Sequence, residues 1–322
     1  MIIKEKRIVK DEQGLPNYMT AFFWTGSKDP AEAPPMFVVC GEVVDAIMVS
    51  QFFNANIGGI PCSLPYQKPW TEVSHQKAAE LCRMKGKGWH LLTNAEYAFL
   101  LKESRELGTE PHGNTNYGKD YDHPDEAGVA YDGRRTLTGL DPVTWSHDHT
   151  ENGVYGLKGN VWEHVQGLRL KHGEVQYIKN NDAAAAEVDT GKNSAAWEPV
   201  RLDDGRTVKL DIKDGTVVIT AGEVAEEWGG VHMADVKLDD LAAVPQALYD
   251  LEILPPDYQS RQDGIFVDSD LTEAVPFRGS SFGNASFGGA SAVSLDLERS
   301  DVGAGLGFRS ALYLKYSKPM TD

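Results

Sequence analysis

Positions 277–316 constrain the fold more than any other part of the chain. The first part, FRGSSFGNASFGGAS over 277–291, is built from glycine, serine and isolated aromatics. Small and polar residues leave little apolar area to remove from water, so this segment cannot build a core of its own. The second part alternates Val293, Leu295 and Leu297 with Ser294, Asp296 and Glu298. That is the period of a strand with the first set inward and the second in solvent. Beyond Gly307, Phe308, Leu312 and Leu314 fall on one face of a further strand. The pattern requires a β framework, supplied largely by the rest of the chain, that carries an exposed and adaptable loop. Such a surface is suited to binding.

With 322 residues the chain can bury a substantial core as one elaborated domain or two. Positions 1–35 are mixed in charge and end at Pro34-Pro35, which reads as an N-terminal arm. A first core part is expected over 36–170, with strand-like apolar runs at 36–40 and 43–49. Two helices follow, near 72–84 and from Thr93 to Gly108. The second is marked by Thr93 as N-cap with Glu96 three residues on, a pair that satisfies two free backbone N–H groups reciprocally. Positions 109–153 read as a long loop, and 161–165 as a short strand. Positions 171–260 read as a β-rich insertion, with Asp204-Gly205 and Asp214-Gly215 as hairpin turns and a helix-prone stretch at 238–254. The last core part is 261–322.

Charge narrows the partners. Asp and Glu number 48 against 31 Lys and Arg, a formal net charge of −17, which repels nucleic acid and anionic membranes. No run approaches the ~20 apolar residues of a membrane-spanning helix, and the N-terminal sequence lacks the apolar core of a signal peptide. Cys40, Cys62 and Cys82 show no CxxC spacing, and they read as reduced, buried small hydrophobes rather than a disulfide framework or zinc ribbon.

Three motifs carry a family resemblance. Leu91-Leu92-Thr93-Asn94-Ala95-Glu96-Tyr97 resembles a helix start of formylglycine-generating-enzyme-like domains. Gly156-Leu157-Lys158-Gly159-Asn160-Val161-Trp162-Glu163-His164-Val165 resembles their Gly-Asn-Val-Trp-Glu signature. Arg278-Gly279-Ser280-Ser281-Phe282 with Gly307-Phe308-Arg309 resembles their closing motif. The resemblance implies an α+β, C-type-lectin-like fold with two helices, small antiparallel sheets and a β-rich insertion. Within that group the tail is most similar to the variable proteins of diversity-generating retroelements, especially phage-borne ones, whose C-terminal codons are rewritten. The resemblance implies a binding surface at Ser281, Gly283, Asn284, Ser286, Phe287, Ser291, Ser294, Asp296, Asp301, Val302, Gly303 and Ala304. It implies scaffold roles for Trp162, Arg278, Gly279, Phe282, Gly307, Phe308 and Arg309. Phe282 is expected in the core and Phe287 exposed. The implied partner is a host-surface or protein ligand, with phage tail proteins and an oligomer also possible, and the implied location is the virion.

The enzymes of this group set the competing reading. Formylglycine-generating enzymes use a pair of C-terminal cysteines, and this chain has none after Cys82. An iron-dependent relative would need a histidine cluster, for which His147-Asp148-His149 is the nearest candidate. Without an accompanying helix motif it reads as loop histidines rather than metal ligands. His164 reads as a strand residue with one hydrogen-bonded nitrogen. Asp120, Asp122 and Asp125 could hold calcium, but the interleaved Lys119 and His123 favour a solvated loop. No catalytic residues, metal or cofactor are expected.

Overall fold

The computed structural model describes residues 1–315; positions 316–322, the end of the expected last core part, lie outside the described residues. It is a mixed α+β chain with few helices and three main sheets. The first sheet runs in the order Ile2–Lys10, Pro16–Trp24, Ala46–Ser50, Ser310–Leu314, Trp89–Leu91. Its first two strands correct the expectation of an N-terminal arm. They pair residue for residue from Ile2 opposite Trp24 to Lys10 opposite Pro16, and the inner one buries Met19, Ala21 and Phe22. The outer strand carries Lys4, Lys6, Arg7 and Lys10, charges suited to an unpaired sheet edge.

Helix α1 spans His75–Arg83, three residues later than expected at its start. Glu72 sits at φ +61°, outside helical geometry, and the Ser74 side chain accepts the Lys77 N–H as the cap. Helix α2 spans Asn94–Leu107 with the expected capping box and ends on Gly108 at φ +69°. The run at 36–40 forms a single 3-10 turn over Pro35–Phe37 and the two-residue strand Val38–Val39. Of the helix-prone stretch at 238–254 only Gln246–Asp250 is helical, because Pro245 stops it on one side and Leu251 closes it on the other.

The second sheet orders Leu168–Lys171, Glu174–Tyr177, Lys209–Lys213, Thr216–Thr220 and Lys237–Leu238, with Glu198–Pro199 beside Glu174–Tyr177. The hairpin at Asp214-Gly215 stands as expected, with Lys213 opposite Thr216. The segment 171–260 does not stand apart. Its Trp228–His232 strand joins the third sheet, ordered Trp228–His232, Gly264–Asp268, Val293–Leu297, Val275–Arg278, Trp162–His164, Leu306–Phe308. One core, including Leu168, Val175, Leu210 and Ile219 with Ile265, Val267, Val293 and Leu295, lies under both sheets. Phe308 and Leu312 therefore belong to two strands in different sheets, with Arg309 at the crossing.

Candidate functional site

The third sheet has a closed side and a side that is open at its Trp228–His232 and Gly264–Asp268 end, while His164, Phe277 and Phe308 farther along that same side are fully buried. Ile265, Val267, Val293 and Leu295 point into the core and are fully buried. Alternation sends Phe266 the other way, opposite Ser294 on the parallel neighbouring strand. There an aromatic row forms. Trp162 meets Phe266 edge-on at 6.0 Å between ring centroids, Phe266 lies 5.8 Å from Phe287, and Phe287 stacks on His232 at 4.0 Å. Each of these four rings is half-exposed. Trp228, 63% exposed, donates its indole N–H to Asp296 Oδ2 at 2.9 Å. Two glycines make the bed for Phe266. A Cβ at Gly230 would stand 2.3 Å from the Phe266 ring, and one at Gly264 would stand 2.8 Å from that ring.

The loop 109–160 supports the adjoining end of this surface. Tyr117, itself 58% exposed, packs on Phe282 at 5.8 Å and bonds through its N–H to the Phe282 carbonyl at 2.8 Å. Ala285 N–H donates to Thr115 O at 2.9 Å. The second tail loop meets the first where Gly305 approaches Ser281 and Phe282, and Trp162 N–H donates to Gly305 O at 2.7 Å.

Most expected surface positions are gathered here. Gly283, Val302 and Ala304 are exposed, and Ser281, Asn284, Ser286, Phe287, Asp296, Asp301 and Gly303 are half-exposed. The 298–305 loop is tied by its backbone, with Gly303 O accepting from Glu72 N–H and Ala304 O from Arg135, while the Val302 side chain is 58% exposed. Asn284 is less free than expected, since its Oδ1 accepts from both the backbone N–H and the hydroxyl of Ser281 at 2.8 Å. Phe287 is partly covered by His232 rather than freely exposed.

Two positions are corrected outright. Ser291 is 1% exposed, its N–H donating to the buried Asp263 carboxylate at 3.0 Å. Ser294 is 5% exposed because its strand is internal to the sheet, with Phe266 and Phe277 opposite it on either side. Its hydroxyl bonds to Asp296. It forms the floor of the surface rather than its rim.

Among the expected scaffold positions, the charged and glycine ones are the most firmly held. Arg309 is fully buried, bonded to Glu163 and to the carbonyls of Ser50 at 3.1 Å and Tyr155 at 3.0 Å, with its guanidinium 4.7 Å from the Phe53 ring. Arg278 is fully buried against Asn94 Oδ1 and the carbonyls of Glu252 and Leu251. Burial without a directly bonded carboxylate pushes its pKa down to about 10. Gly279 at φ +83° brings its backbone where a Cβ would lie 2.5 Å from Leu157 O, and a Cβ at Gly307 would meet Val161 at 2.7 Å. Phe308 is buried. Trp162 and Phe282, expected as scaffold, are half-exposed and belong to the open surface, where Phe282 lies beside Gly305 and the Trp162 backbone N–H bonds to Gly305 O.

The histidines and carboxylates considered for metal chemistry are otherwise engaged. His147 is buried between Glu103, at 2.9 Å, and Val154 N–H, while His149 bonds to Glu110 O. Lys158 holds Asp120 at 3.0 Å and Asp122 at 2.9 Å, and Asp125 is exposed. His164 Nε2 bonds to Val73 O, and burial holds the imidazole down to about 4. Among the described residues no group of three or more His, Cys, Asp and Glu is placed to hold a metal ion. No helix among them is long and apolar enough to cross a membrane.

Reasoning from sequence missed Tyr117, Trp228, His232 and Phe266. For Phe266 the pair Gly229-Gly230 and the single Gly264 were the available signal, since glycine within a strand marks the close approach of another group.

No family model matches this sequence, and no curated protein matches it. Among solved structures, Treponema denticola variable protein 1 aligns over 95% of this chain and 98% of that one, at 10% identity and a TM-score of 0.39. At that score the likeness does not establish a shared fold.

Proposed function

We propose that the open side of the third sheet, with the two tail loops, is a ligand-recognition surface on a non-catalytic display protein. The observation that supports this most is the row of half-exposed rings at Trp162, Phe266, Phe287 and His232, extended by exposed Trp228 and Tyr117. Large aromatics in contact with solvent are the groups that dominate binding interfaces, and contiguous exposed apolar surface marks sites of association. Serine, glycine and asparagine at 281–286 add adaptable hydrogen-bonding groups beside these rigid anchors, a composition shared with antibody binding loops.

The finer reading is a C-type-lectin-like variable protein of the diversity-generating retroelement type, carried as a receptor-binding protein on a phage tail. It is supported by the order of the three sequence motifs and by the separation of buried framework residues from open positions. Affinity from so small a patch would be modest for one copy and raised by many copies on a particle. The test is to sequence the 278–309 coding region across a natural population and inspect its genomic neighbourhood. Substitutions confined to open positions, with a reverse transcriptase and a near-copy differing at adenines nearby, are the expected result. An invariant tail with no such element would overturn the retroelement reading.

A further inference from the structure

A second chemical feature lies at the opposite end of the chain, where the N-terminal hairpin meets the end of α1. Lys85, Asn17 and Asp11 form a buried group there. Lys85 and Asn17 are fully buried, Asp11 is 6% exposed, and the Lys85 and Asp11 side chains are both 0% exposed. Lys85 Nζ stands 2.7 Å from Asn17 Oδ1, so the carboxamide carbon lies one bond beyond the contact. It also bonds to Pro61 O and lies 4.4 Å from the Trp89 ring centroid. Asp11 Oδ2 reaches both partners, 3.7 Å from Lys85 Nζ and 3.4 Å from Asn17 Nδ2.

We propose that Lys85 Nζ and Asn17 Cγ join in an intramolecular isopeptide bond, with Asp11 moving the protons. The neutral amine attacks Cγ, whose oxygen is polarised by the backbone N–H of Ser63 at 3.0 Å. Asp11 takes a proton from the attacking nitrogen and gives it to the amide nitrogen. The Cγ–Nδ2 bond then breaks, and one ammonia leaves as the Cγ–Nζ bond is completed. Nothing is oxidised or reduced, and no co-reactant is needed. Burial lowers the pKa of Lys85, favouring the uncharged nucleophile; Lys158, ringed by two carboxylates, shifts the opposite way and stays charged.

The backbone holds these groups in register, which converts an otherwise slow amide exchange into a reaction between fixed neighbours. Glu12 N–H donates to Lys85 O at 2.9 Å, Gln13 Nε2 to Met84 O at 2.8 Å, and Asp11 Oδ1 receives Leu15 N–H at 2.9 Å. The bond would staple the strand Pro16–Trp24 to the end of α1 and constrain the unfolded chain as a disulfide does, without sensitivity to reductant.

The experiment is intact mass measurement of the denatured, purified full chain, followed by tryptic mapping. The expected mass is about 17 Da below that of the sequence, one ammonia lost. The expected digest contains a branched peptide joining 11–28 to 84–87, because an acylated Lys85 is no longer cleaved. Full mass with a linear peptide ending at Lys85, in protein that unfolds cooperatively, overturns the proposal. A 17 Da loss confined to linear 11–28 is a succinimide at Asn17 and overturns it equally. Lys85→Arg and Asp11→Asn are expected to retain the ammonia. A folded Asp11→Asn that crosslinks as completely as the wild type removes Asp11 from the reaction.

Discussion

Replacing Arg309 with methionine is the sharpest perturbation of the framework beneath the tail. The side chain keeps much of its length but loses the charge and every donor. Glu163 is then left 1% exposed with no cation, and its Oε2 already has no hydrogen-bond partner. The carbonyls of Ser50 and Tyr155 lose their guanidinium bonds as well. Breaking a buried ion pair by removing one partner costs about 3–5 kcal/mol, and the two stranded carbonyls place Arg309→Met at the upper end, about 5 kcal/mol. Most of that cost is the abandoned carboxylate, so adding Glu163→Gln should return about 2 kcal/mol or more. Urea denaturation at pH 7 of the wild type, both single variants and the double variant reads these values from the midpoints at constant slope. A cost below about 1 kcal/mol for Arg309→Met, or a double variant less stable than Arg309→Met alone, would refute the framework role.

Three further outcomes follow from groups in or near the tail. His164 is held down to about 4 from an ordinary 6.5 by burial, and His75, 5.7 Å away, is shifted the same way for the same first cause. The unfolded chain therefore takes up protons first, so this stability is complete above pH 6.5 and is lost as pH falls toward 4. For His164 alone the loss is about 3 kcal/mol, and urea midpoints between pH 7 and 4.5 that fail to flatten in His164→Asn would contradict it. Gly279→Ala forces a Cβ to within 2.5 Å of Leu157 O at φ +83° and should cost about 2 kcal/mol or more. Gly283→Ala meets nothing nearer than Tyr117 Oη at 3.4 Å and should stay within about 0.5 kcal/mol in the same assay.

Local signals were legible in the sequence and non-local ones were not. Helix α2 was readable because Thr93 and Glu96 satisfy each other within one turn and Gly108 supplies the left-handed end. The strand Val293–Leu297 was readable from its alternation, but not its neighbours. Its parallel pairing with Gly264–Asp268 is what covers Ser294 and brings Phe266 beside the tail. The N-terminal hairpin was missed because Ile2–Lys10 is an edge strand whose charges mimic a linker. Trp162 and Phe282 were assigned to the core because burial is the commoner fate of such rings. Here Phe282 packs between Tyr117 and the Gly305 backbone, Trp162 packs edge-on against Phe266, and both keep a solvent-facing side. The buried arginines are intelligible only once Glu163, Asn94 and the receiving carbonyls are in place, and those come from distant segments.

The most direct measurement is a protease-resistance scan of a library carrying every amino acid at each position from 278 to 309. Broad tolerance at Ser281, Gly283, Ser286, Asp301, Val302 and Ala304, with near-complete intolerance at Arg278, Gly279, Gly307 and Arg309, is the predicted result. Equal intolerance across both groups, or free substitution of the buried arginines, would contradict a rigid framework carrying a replaceable surface.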